Sequence, residues 1–152
     1  RRHESSFGGV ADVARLASGR VERKPCRLPC PRATVTARGR GTPSGVAVLG
    51  GRVSVIVDDR VLFEYRDVLS RPKFGFDHQY VESLLDYLEH TSERVTVSPI
   101  DNTVADPDDV AFYEVAIAGD ADFLITGNLK HFPAKPYIVS PAAFVAKMRA
   151  ID

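Results

Sequence analysis

The chain has only two cysteines, Cys26 and Cys30, and no other Cys or nearby His joins them. Two such thiols make neither a disulfide framework nor a zinc site, and they read as incidental residues of a loop. No apolar run approaches the roughly 20 residues of a membrane-spanning helix, so the chain reads as soluble, with no membrane partner. No basic-then-apolar signal segment opens it, which is the expectation for a cytoplasmic protein. A Gly-x-Gly-x-x-Gly loop after a strand is missing too, which sets aside a dinucleotide-binding protein. Net charge is lacking as well, with 20 Lys and Arg against 20 Asp and Glu. That balance hides a split, because residues 1–42 hold 10 Lys and Arg against 3 acids and residues 43–152 hold 10 against 17. A basic segment can contact nucleic-acid phosphates, but an Arg-rich stretch without periodicity is more simply solvated.

What is present is one domain's worth of chain, 152 residues with 44% hydrophobic content. From about residue 43 local signals agree. Val53-Ser-Val-Ile-Val57 reads as a buried strand. Asp58 caps a helix with Val61, Leu62, Tyr65, Val68 and Leu69 at helical spacing, stopped by Pro72. A second helix starts near Asp77, with Val81, Leu84, Leu85 and Leu88 on one face, and Arg94 to Ser98 reads as a strand. A third helix runs from Asp106 to Gly119, followed by strands over Asp122–Thr126 and Tyr137–Val139. Ser140-Pro141 opens a last helix through Phe144, Val145 and Met148. The order β-α-α-β-α-β-β-α predicts a three-layer α/β/α domain on a mostly parallel sheet.

Residues 1–42 read differently, as an atypical basic segment that is disordered or non-native. A short helix over residues 8–18 is the one element they suggest, and residues 42–51 read as the tail of a helix leading into Val53. No Val/Ile/Leu-type strand precedes Val53, so the early central strand that an α/β sheet needs is expected to be missing or replaced.

The run from Asp106 to Asn128 carries the chemistry. Asp106, Asp108 and Asp109 stand at the mouth of a helix with no Lys nearby, and a short apolar strand then ends in Thr126-Gly127-Asn128. In an open parallel sheet such a turn lies where ligands bind. Acids gathered there suit a hard divalent cation such as Mg²⁺ or Mn²⁺.

Four stretches resemble the PIN-domain ribonucleases, in particular those grouped as toxin components of toxin–antitoxin pairs. They are residues 63–74, 106–116, 125–133 and 139–144, in the family's order. The resemblance covers about residues 42–152 and implies a Rossmann-like fold and metal-dependent endonucleolytic cleavage of RNA. It also implies a protein antitoxin as inhibitor, and homodimers would fit the family. It maps a catalytic, metal-binding Glu to Glu64, a helix-opening Asp to Asp109 and a turn residue to Asn128, with Asp106 as a further metal ligand and Asp108 as an alternate. The family's first acid, at the end of the first strand in an apolar-Asp-Thr/Ser-Asn word, maps to nothing. Asp12 stands in Val-Ala-Asp-Val-Ala and does not match. Missing strand and missing acid are one missing segment, consistent with an N-terminus lost by a frame change in the gene, and the expected activity is impaired. An inactive PIN-like module that pairs with an antitoxin or with itself is the alternative.

Each site residue also has a plainer role. Glu64 can pair with Arg60 on the helix surface. Asp106 is a natural N-cap before Pro107, and Asp108 and Asp109 suit the positive end of a helix dipole, which leaves Asp109 freest to reach a metal. Asn128 is a turn former after Gly127. Thr126, Lys130 and His131 are candidates to hold a water or touch a substrate phosphate, although Lys and His in such places are more often surface decoration.

Overall fold

Strand residues that lack an aliphatic run occupy the centre of the sheet. The structure, a computed structural model, describes residues 31–36, 53–100 and 104–151. Its elements are β1 (Arg32–Val35), β2 (Ser54–Val57), α1 (Asp59–Leu69), α2 (His78–Thr91), β3 (Glu93–Arg94), α3 (Val110–Ala118), β4 (Phe123–Ile125), β5 (Ile138–Val139) and α4 (Pro141–Ile151). The five strands are all parallel, in the order β3-β2-β1-β4-β5. From β2 onward the order of elements is the one the sequence predicts.

The expectation that the first strand is missing is corrected by β1, which lies between β2 and β4, with Ala33 beside both Val55 and Phe123. Its sequence, Arg-Ala-Thr-Val, has weak local strand character, so its neighbours hold it. Ala33 and Thr34 are fully buried, and the Thr34 hydroxyl donates to the carbonyl of Ile56 (3.4 Å). At the strand's start Arg32 donates through Nε and Nη2 to Glu93 (2.9 and 2.6 Å), and its backbone N–H donates to Asp122 (2.8 Å). The expected short helix over residues 8–18, both cysteines, Asp12 and the helix tail over residues 42–51 lie outside the described residues.

Helix α1 starts where the Asp58 side chain accepts the N–H of Val61 (2.9 Å), and it buries Val61, Tyr65, Val68 and Leu69 as one stripe. Asp77 caps α2 in the same way, and Val81, Leu84, Leu85 and Leu88 form its buried face. The Asp106 helix begins later than expected, because Pro107–Asp109 forms a tight 3-10 turn before α3 proper. β3 is also shorter than expected, and after Arg94 only the N–H of Val95 still reaches the Val57 carbonyl (3.1 Å).

Alternation along β4 shows the layering. Phe123 and Ile125 pack with Phe144 and Met148 of α4, whereas Leu124 packs with Tyr113 and Ala116 of α3. Alternate strand residues point to opposite faces, so α3 and α4 cover opposite sides of the sheet. Gly119 ends α3 for a different reason than a left-handed cap, because its own φ is −88° and the positive φ falls on its neighbour Asp120 (49°). A Cβ at Gly119 would lie 2.8 Å from Ile56 Cγ2, so the glycine permits close approach of helix and strand. No helix among the described residues is long and apolar enough to cross a membrane.

Candidate metal and phosphodiester site

β2 and β3 lie to one side of β1, and β4 and β5 to the other, so β1 and β4 flank a topological switch point. Open α/β sheets bind ligands beyond the carboxyl ends of strands at such a point. Here those ends carry Thr36 and Thr126, both buried. The N–H of Thr36 donates to Ile125 (3.0 Å) and that of Thr126 to Val139 (3.0 Å), which fixes the backbone of the crevice floor. Tyr65, fully buried on α1, donates its hydroxyl to the Val35 carbonyl and ties α1 to the end of β1. Burial pushes the Tyr65 phenol well above its usual range, so it stays a donor.

The position after the first strand, where the resemblance calls for an acid, is therefore Thr36. The sequence left that position unassigned because the strand before it is cryptic.

At the mouth of α3, Pro107 and the N-cap shape a turn rather than a full helical start. Asp106 accepts the N–H of Asp108 through Oδ1 (2.9 Å), and its carbonyl accepts the N–H of Asp109 (3.0 Å). The Asp109 carboxylate is thereby turned inward, with only 4% of the residue exposed, and meets His131 Nδ1 at 2.9 Å. His131 also lies 3.8 Å from Asp106 Oδ2. One ligand atom from each of Asp106, Asp109 and His131 falls within 4.8 Å of the others. His131 is thus part of the acidic cluster and not surface decoration. Asp109 itself makes no cap hydrogen bond, and its carboxylate belongs to the cluster.

A 3-10 turn over Leu129–His131 places that imidazole. The Thr126 hydroxyl accepts the N–H of Asn128 (3.1 Å), and the Asn128 carbonyl accepts the N–H of His131 (2.9 Å). The His131 carbonyl then accepts the N–H of Ala105 (2.9 Å), so the β4 turn and the α3 approach are stitched together. Neither Gly127 nor Asn128 uses positive φ, so the turn rests on these bonds and not on left-handed backbone. Lys130 is exposed beside it.

Glu64 stands elsewhere on the same side, half-buried on α1 with its Oε1 sealed from solvent. It lines a cavity of about 440 Å³ with Asp59, Arg60, Phe63, Asp108 and Phe112. That wall brings Glu64 together with Asp108, the alternate, while Asp109 joins His131. The expected surface pair between Glu64 and Arg60 is replaced by another partner. Arg60 binds Asp58 (2.8 Å) and the buried Glu114 (2.8 Å), and Glu114 accepts the N–H of Ile100 (3.1 Å). The hydrogen bond that Arg60 donates to Glu114 is the main reason its guanidinium is held even above its usual value. Sequence reasoning passed over Glu114, although it is the one charged residue in the otherwise apolar and aromatic α3 stretch Val-Ala-Phe-Tyr-Glu-Val-Ala-Ile-Ala.

No curated protein and no solved structure matches the chain. The family model described as PIN domain matches residues 42–130. That span is more than half of the 152 residues and contains Glu64, Asp109 and Asn128, so the chain belongs to the PIN-domain family.

Proposed function

We propose that this protein is a metal-dependent endoribonuclease of the toxin type, hydrolysing RNA phosphodiester bonds at the crevice above β1 and β4. Membership in the PIN-domain family points to a nuclease. The observation that carries the metal reading is the convergence of Asp106, Asp109 and His131 within 4.8 Å. Two carboxylates and an imidazole fit a divalent first-row ion, and the nitrogen donor favours Mn²⁺ over Mg²⁺. When bound, such an ion neutralises charge at phosphorus and makes a water a better nucleophile.

The chain's own residues then have distinct tasks. Asp109 offers a carboxylate whose direction His131 fixes. Asp106 spends Oδ1 on the turn and keeps Oδ2 toward the cluster. Asn128 and Thr126 hold the β4 turn and line the approach to the phosphate, and Lys130 and His131 supply positive or donor groups at its rim. Glu64 adds a carboxylate beside Asp108 in the neighbouring cavity on the α1 side. In this reading the protein acts in the cytoplasm, an antitoxin protein covers the crevice, and two copies pair as family homodimers do. Thr36 in the place of an acid supports weak turnover, and it equally supports a second reading, a PIN-like module that binds its antitoxin without cutting.

Two measurements separate these readings. Mn²⁺ at about 100 times its Kd should stabilise the wild type by about 2.7 kcal/mol, and Asp109→Asn should abolish the shift. A labelled RNA incubated with Mn²⁺ should be cut by the wild type and at least ten times more slowly by Glu64→Gln and Asp109→Asn, a loss of about 1.4 kcal/mol or more. Equal rates in all three would remove the nuclease reading. A metal-dependent shift without cleavage would favour the binding module.

A further inference from the structure

Phe63 is the most exposed large apolar residue among those described, at 71%, ahead of Leu129 at 47% and Ile117 at 45%. A single exposed apolar side chain is ordinary by itself. Its address is not. Phe63 lies off the buried stripe of α1 and lines the same 440 Å³ cavity as Glu64 and Asp108. A cavity of this size is within the roughly 300–1,000 Å³ of small-ligand sites. Arg60, three residues earlier, is one helical turn away on the same face and lines the same cavity. Its guanidinium is clamped by Asp58 and Glu114, so it cannot fold away. The cavity wall therefore carries an exposed aromatic ring, a fixed planar cation and three carboxylates, those of Asp59, Glu64 and Asp108.

Acids can manage the phosphate of a bound strand only through a cation, and they offer its bases edge hydrogen bonds but no stacking face. Nucleobases in single strands are held by stacking on aromatic rings and guanidinium planes. Resting on the nuclease reading above, we infer that Phe63 is the stacking platform for a base of single-stranded RNA next to the scissile phosphate, with Arg60 bordering the same base. The ring positions the substrate and takes no part in bond breaking. Because every base has a π-face, this contact selects unpaired over paired RNA more than it selects sequence.

The chain contains no tryptophan, so Phe63→Trp introduces a single fluorescent reporter at the platform. The experiment titrates that variant, in a Glu64→Gln background with Mn²⁺, with a single-stranded RNA oligomer, an abasic oligomer of equal length and a duplex. Anisotropy of labelled oligomer measures binding independently of the tryptophan. The expected result is quenching by the single strand alone. Phe63→Ala should weaken single-strand binding by about 5- to 150-fold, Phe63→Tyr should restore it, and Phe63→Leu should not. Unchanged affinity in Phe63→Ala, or bound RNA that leaves the tryptophan unquenched, overturns the inference while leaving the nuclease reading intact. Unchanged RNA affinity together with a smaller sedimenting species for Phe63→Ala overturns it in favour of a contact between copies. No RNA binding in any arm overturns it together with the nuclease reading.

Discussion

Thr36 is the residue on which the proposed activity turns. It follows β1 at the switch point, is only 2% exposed and stands at the strand end where the resemblance calls for an acid. Thr36→Asp therefore returns a carboxylate to the crevice. It should raise Mn²⁺-dependent RNA cleavage by about tenfold or more, with the binding-induced rise in Tm increasing in step. An unchanged rate with intact folding would mean that the missing acid does not limit turnover. Charge was easy to read at this scale and partnership was not. Asp106, Asp109 and Asn128 stand in a recognisable run. Nothing local marks His131 as the partner of Asp109, because their meeting depends on two turns stitched by the bond from Ala105 to His131. Glu114 did leave a local trace, as an acid inside an apolar helix, and a buried acid needs a partner such as Arg60.

Among the elements, the helices were legible and the short strands were not. The buried stripes of α1 and α2 fall on the positions that helical spacing predicts, and the cap at Asp58 forms as expected. β1 escaped notice because tertiary neighbours hold it, and β3 came out shorter because the chain leaves the sheet after Arg94. The junction of α3 with β2 gives a test of packing. Replacing a glycine that has negative φ by alanine usually stabilises by about 0.4–1 kcal/mol. At Gly119 the new Cβ would meet Ile56 Cγ2 at 2.8 Å and the Val115 carbonyl at 3.2 Å, and Ile56 is fully buried. Overpacking costs about 1–3 kcal/mol and wins, so Gly119→Ala should lower the urea midpoint. A higher midpoint would show that helix and strand can separate at no cost.

For the whole molecule, two shielded phenols, the buried Tyr65 and the half-buried Tyr137, should set the alkaline limit. Burial, assisted by the hydrogen bond with Tyr113, pushes the Tyr137 phenol up to about 12, and burial raises Tyr65 further. An unfolded tyrosine ionises near pH 10, so above that pH the unfolded chain binds fewer protons than the folded one. Stability should then be level up to about pH 10 and fall as pH rises through the folded-state values. Tyr65→Phe should cost roughly 1 kcal/mol at neutral pH through the lost hydrogen bond and make the alkaline fall shallower. Denaturant melts between about pH 8 and 11 read both effects, and an unaltered slope would show that Tyr65 titrates normally.

The place of β1 also governs the order of assembly. The strand nearest the amino end of the described fold needs β2 on one side and β4 on the other, and β4 is followed only by β5 and α4. On the ribosome, residues 32–35 emerge well before Phe123–Ile125 and keep one edge open until β4 has left the exit tunnel. Any partner that recognises the nascent chain by that bare edge has its opportunity in this interval and loses it when β4 pairs.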